Sequence, residues 1–139
     1  MYLLDTNVIS EMRKFRTGRG DLRVQEWASR QSHSDLFLSA ITIFEMEVGV
    51  RKMMRKDQTQ GRLLEEWLHV RVLREFRERI VRVDTEIALR CAALHILVTA
   101  PYRDSLIAAT GLVHGFTVVT RNVKDFERMG VKVLNPWEG

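Results

Sequence analysis

Cysteine is nearly missing from this chain. Cys91 stands alone among 139 residues, so no internal disulfide framework can hold the fold. Its place in an apolar helical pattern marks it as a small core residue. Proline is almost as scarce: Pro101 and Pro136 are the only two, and no Pro-rich linker divides the chain. Long apolar runs are absent, with nothing approaching the roughly 20 residues that span a bilayer. The N-terminus has no basic start, and Asp5 cuts its apolar run short. Both features argue against a signal peptide, and a soluble, cytoplasmic protein is expected. No G-x-G-x-x-G or Walker sequence is present to cradle a phosphate, and His33, His69, His95 and His114 lack paired zinc-ligand spacing. With no internal repeat and no low-complexity tract, residues 1–139 read as a single domain.

What is present suits a compact fold. Hydrophobic residues make up 45% of the chain, far from a disordered composition. The net charge of +4 is a modest pointer to a polyanionic partner. Short apolar strands are expected at 1–4, 36–38, 80–83, 116–120 and 131–134. Helices are expected between them. Asn7 would cap a brief first helix to Arg13, and Ser39 or Thr42 would start another bearing Ile43, Met46 and Val50. Leu63, Leu64, Trp67, Leu68, Val72 and Phe76 suggest one long helix. A helix over 103–114 should follow Pro101 and end at Gly115. Alternating strands and helices indicate an α/β fold with a mostly parallel central sheet and helices on both faces. Sites in such sheets lie outside the carboxyl ends of the strands.

That rule singles out four carboxylates. Asp5 directly follows the first strand, and Asp125 follows the 116–120 strand by a few residues. Asp104 falls in the first turn of its helix, where the helix dipole favours a negative charge. Glu45 lies on the helix after the second strand, with Gly49 one turn on, read as room for close approach. Glu47 competes with Glu45, but two helical positions differ by about 200°, so only one can face a pocket. Each acid has a plainer reading as a cap, turn former or solvated group. Together they would repel one another unless a cation bound, and oxygen-rich sites suit magnesium or manganese. Such an ion polarises a phosphate oxygen and generates a hydroxide near neutral pH.

At these residues the chain resembles PIN-domain proteins of the VapC type, the toxin half of bacterial toxin–antitoxin pairs, and especially their FitB-like members. Leu3-Leu-Asp5-Thr-Asn7-Val-Ile-Ser10, Ser39-Ala-Ile-Thr42-Ile-Phe-Glu45 with Gly49, Asp104-Ser-Leu-Ile107-Ala-Ala-Thr110 and Thr120-Arg-Asn122-Val-Lys-Asp125-Phe126 resemble the family's four motifs in order. The ending Asn135-Pro-Trp137 is similar too. The resemblance implies a three-layer α/β sandwich and a magnesium-dependent endoribonuclease, with manganese able to substitute. It implies metal binding by Asp5 and Asp104, with Glu45 completing the site. The fourth corner is open: many relatives have Asp where this chain has Asn122, and Asp125 either compensates or supports the turn. Thr6 and Thr120 would hydrogen-bond the carboxylates or a substrate phosphate, with Asn7 beside them. A small antitoxin blocking the site, operator DNA bound through that antitoxin, and a homodimer or toxin–antitoxin hetero-oligomer are implied as well.

The basic run Arg13, Lys14, Arg16 and Arg19 begins close after Asp5 and is a candidate RNA contact. Two further runs, Arg51 to Lys56 and Arg71 to Arg82, read more simply as solvated faces paired with nearby Glu65, Glu66, Glu75 and Glu78. Trp27, Trp67 and Trp137 read as packing residues. Two other functions remain open on the residues alone. Asp5 could be a phosphoacceptor in a haloacid-dehalogenase-like phosphatase or a receiver domain. Asn7 stands where the phosphatase needs a second Asp, and no Asp ends the second strand as a receiver requires. A non-catalytic PIN-like binding module is the other alternative.

Overall fold

Five short strands, all parallel, form the sheet of the computed structural model, which describes residues 1–138. Gly139, the last residue of the expected domain, lies outside them. The strands are β1 (Tyr2–Leu4), β2 (Leu36–Ser39), β3 (Ile80–Val81), β4 (Thr117–Val119) and β5 (Val133–Leu134), in the order β3-β2-β1-β4-β5. Tyr2 is level with Leu36 on one side and Thr117 on the other. The chain builds outward from β1 to one edge, then returns to add β4 and β5 on the opposite side. The topological switch point, where ligands bind in open α/β sheets, is therefore the crevice between the ends of β1 and β4. This order differs from the 2-1-3-4-5 of receiver domains.

Helices cover both faces, giving the expected three layers. Alternation along β1 divides the core, since successive side chains point to opposite faces. Leu4, with Val119 and Leu38, packs under α1 (Thr6–Arg13), α2 (Leu22–Ser29) and α3 (Ala40–Lys56) through Val8, Trp27 and Met46. Leu3, with Val118, packs under α6 (Thr85–Leu97), α7 (Tyr102–His114) and α8 (Val123–Glu127) through Ile87, Ile107 and Phe126. Both leucines are fully buried, each such side chain contributing about 1.5–3 kcal/mol. Cys91 is buried in the second cluster, as its pattern suggested.

Three local expectations need correction. Asn7 does not cap α1: Asp5 does, its Oδ1 accepting the Thr6 N–H at 2.8 Å. The long helix from Leu63 to Phe76 is not continuous. It runs as α4 (Gln58–Glu66), a π-helical stretch over Trp67–Val72, and α5 (Leu73–Glu75). Leu64, Leu68, Val72 and Phe76 recur every four residues, and each such step gains about 40° on a 3.6-residue turn. A widened turn counters that drift. Leu68, Val72 and Phe76 stay buried while Leu63 is left 51% exposed. Finally, Gly49 makes no close approach, since a Cβ there would meet nothing within 4 Å. The close approach is at Gly61, where a Cβ would stand 2.6 Å from the Met54 Cα of α3.

Candidate active site

Asp5 ends β1, and its backbone N–H continues the ladder by donating to the Val119 carbonyl at 2.9 Å. This places its side chain at the switch crevice, only 6% exposed. Both carboxylate oxygens are engaged. Beyond the Thr6 N–H on Oδ1, Oδ2 accepts from the Thr120 hydroxyl at 2.7 Å and from Asn7 Nδ2 at 3.3 Å. The Thr120 hydroxyl in turn accepts the Asn122 N–H at 3.0 Å, and Asn7 Oδ1 accepts the Arg121 N–H at 3.2 Å. The segment after β4 is thereby tied to the start of α1, across 115 residues between Asp5 and Thr120. Burial raises the Asp5 pKa above the usual carboxylate value of 3.8, and the Glu45 charge adds to it. The hydrogen bonds from Thr120 and Thr6 and the charge of Arg103 oppose the rise.

Ser39 caps α3 through its hydroxyl, which accepts the Ile41 N–H at 3.0 Å, and the second turn of this helix carries Glu45. Glu45 Oε1 accepts from the Thr6 hydroxyl at 2.7 Å, and Oε2 accepts from Arg103 Nη1, also at 2.7 Å. Glu47 points elsewhere. It meets His69 Nε2 and Arg51 Nε, both at 2.8 Å, and these partners lower its pKa. Rotation about the helix thus turns Glu45 toward Thr6, beside Asp5, and Glu47 away from it.

Asp104 arrives from the other layer, in the first turn of α7. Its pKa is raised, by burial first, then by the Asp5 charge, with smaller contributions from Asp125 and Glu45, while Arg103 opposes them. Asp104 thus feels the charges of Asp5, Asp125 and Glu45, and Asp5 that of Glu45. They are not equivalent: Asp5 is buried, Asp104 is half-buried, and Asp125 is exposed on α8. Asn122 is exposed beside it, and among the described residues its side-chain amide makes no hydrogen bond.

The donor set is all oxygen, anionic and self-repelling, which fits a hard divalent cation. Among the described residues no three such groups are already drawn together as a finished cage. Glu45 is held instead by Thr6 and Arg103. Arg103 escaped the sequence reading, although a signal existed. A cation in the first turn of a helix opposes the helix dipole, so its presence beside Asp104 wants a reason.

The remaining candidates divide. Arg13 stacks over Trp67 at 5.8 Å, Lys14 pairs with Glu11 at 3.1 Å, and Arg19 Nε donates to the Thr17 hydroxyl. Arg13, Arg16 and Arg71 border a groove whose apolar lining includes Met12, Phe15, Trp67 and Phe76. Arg79 is structural rather than free for RNA, donating to the carbonyls of Leu36, His33 and Glu75. The expected pairing of the other arginines in that run with Glu65, Glu66 and Glu78 is not seen among the described residues, and Glu75 pairs with His33. Trp27 and Trp137 are buried packing residues, and Trp67 is half-buried.

Comparison with known proteins agrees with this geometry. Residues 2–132 match the model of the PIN domain. The chain is 36% identical to the VapC ribonuclease Y4jK of Sinorhizobium fredii and 34% identical to toxin FitB of Neisseria gonorrhoeae, covering 99% of both chains in each case. A solved structure of FitAB bound to an IR36 DNA fragment superimposes with a TM-score of 0.87 at 34% identity, over 99% of this chain and 96% of that one. Matches of this extent leave no room for the phosphatase or receiver readings. The chain belongs to the PIN-domain family, within its VapC and FitB toxin branch.

Proposed function

We propose that this chain is the toxin of a toxin–antitoxin pair and acts as a magnesium-dependent endoribonuclease, with manganese able to substitute. One observation carries the reading. Asp5, Glu45 and Asp104, from three distant segments, bring their charges to the switch crevice, where burial first, and neighbouring carboxylates after it, raise the pKa values of Asp5 and Asp104. Nothing in the fold needs that repulsion, and a divalent cation would relieve it. Asp5 and Asp104 would hold the ion, and Glu45 would complete the set. Asp125 supplies negative charge at the rim, where Asn122 offers an oxygen without one. When bound, the ion supplies Lewis acidity to a phosphate oxygen and a hydroxide from water near neutral pH. Thr6, Asn7 and Thr120 fix the carboxylates by hydrogen bonds.

The basic run Arg13, Lys14, Arg16 and Arg19 is proposed to bind the RNA backbone. The neighbouring groove, apolar in its floor and basic at its rim, suits the tail of a small antitoxin, which would extend from there to block the carboxylates. Operator DNA would be bound through that antitoxin; the related FitAB has been solved bound to an IR36 DNA fragment. No helix among the described residues is long and apolar enough to cross a membrane, and the cytoplasm is the proposed location. Leu89, Ile96 and Leu97 are 68–86% exposed on one side of α6. That unpartnered apolar stripe supports a homodimer.

The test is cleavage of single-stranded and structured RNA by the purified chain with magnesium, manganese or a chelator. Cleavage is expected only with a divalent ion and should fall to background in Asp104→Asn. Cleavage that persists with chelator and in Asp104→Asn would overturn the reading.

A further inference from the structure

Arg103 belongs to the layer of α7, yet its one ion pair among the described residues crosses to Glu45 on α3, 58 residues away. The contact is a single hydrogen bond, from Nη1 to Oε2, rather than a bidentate fork. The Arg103 side chain is 63% exposed while that of Glu45 is 15% exposed, so the arginine is the solvated partner of the pair. Leaving Glu45 would cost it little, because water can replace the single hydrogen bond it gives up. Glu45, by contrast, has both oxygens occupied, one by Thr6 and one by Arg103.

We propose that Arg103 is a built-in counter-cation, which holds Glu45 until a divalent ion displaces it and thereby weakens the affinity of the site for that ion. The proposal rests on the metal-binding reading above. Its physical basis is exclusion by charge. A guanidinium bonded to Glu45 stands among the carboxylates that an incoming ion must use, and the two cations repel at that range. With Arg103 in place the cluster is partly neutralised, and an ion gains less from entering than a bare cluster of acids would give it. The first turn of α7 is an unfavourable place for a cation, and the bond to Glu45 compensates for it. Arg103 is thus a positioning residue for Glu45.

The experiment titrates the full chain, free of RNA, with manganese and reads the free ion by electron paramagnetic resonance. Circular dichroism checks each variant's fold; Arg103 is exposed enough for its replacement to be tolerated. Arg103→Gln should bind manganese about tenfold more tightly than the wild type. Arg30→Gln removes an equal charge at the opposite end of the sheet, where α2 leads into the start of β2 and Arg30 pairs with Glu26 at 3.4 Å, and should leave the affinity within about twofold. Binding by Arg103→Gln that is equal to or weaker than wild type would overturn the proposal and leave the metal reading standing. An equal gain in both variants would also overturn it, by showing net charge rather than the bond to Glu45 at work. No binding by any of the three proteins would instead remove the metal reading, and this proposal with it.

Discussion

Burial and neighbouring charge keep the pKa values of Asp5 and Asp104 above 3.8 in the folded chain, and that has a consequence for stability. The folded state binds these protons more tightly than the unfolded state. The associated stabilisation is fully present below about pH 3.8 and is lost as pH rises through the raised folded values. At neutral pH, without an ion, the two acids therefore work against folding. Asparagine cannot ionise, so Asp104→Asn should melt a few degrees above wild type at neutral pH in the presence of chelator. The gap should close as the pH falls toward 4. Thermal denaturation from pH 4 to 8 checks this, and a variant no more stable than wild type at pH 7 would contradict the electrostatic account. Adding manganese should reverse the ranking, because only a protein that binds the ion gains from it.

At the scale of elements, the tightest constraint lies away from the site. Gly61 on α4 lies against the backbone of α3 at Met54, and a methyl group there would come within 2.7 Å of backbone atoms. Gly61→Ala would favour an isolated helix by about 1 kcal/mol. Here it should instead lower stability by about 1–3 kcal/mol through overpacking, read as a fall in the urea midpoint. The sequence showed the strands and most helices because both-face burial writes continuous apolar runs such as Tyr2-Leu-Leu4 and Thr117-Val-Val119. It did not show the π-helical stretch. The four-residue recurrence of Leu64, Leu68, Val72 and Phe76 was visible, but whether the backbone or the side chains would absorb the drift depends on the sheet beneath. Asp5 and Asp104 were legible as strand-end and helix-start acids. The orientation of Glu45 over Glu47 depended on helix rotation, and the reach of Arg103 to Glu45 depended on how two layers pack. Neither is a local property of the chain.

For the molecule as a whole, the exposed stripe on α6 is the feature most at odds with a lone monomer. Ile96 is 86% exposed and Leu97 82%, although α6 buries Ile87, Cys91 and Leu94 on its other side. Ile96→Glu should convert a dimer to a monomer in light scattering while leaving the circular dichroism spectrum unchanged. A wild-type protein that is monomeric throughout the micromolar range would remove the dimer from the proposal.

The central position of β1 also orders events in time. The first strand made is flanked by β2 and β4, and Asp5 meets its Thr120 partner 115 residues later. A ribosome adding about 5–20 residues per second needs roughly 6–23 s to cover that interval. Until then Asp5 has neither Thr120 nor Asp104 properly placed beside it. On the proposed nuclease reading, a nascent chain that has not yet reached β4 lacks an assembled site, and competence arrives only after Thr120 has been made.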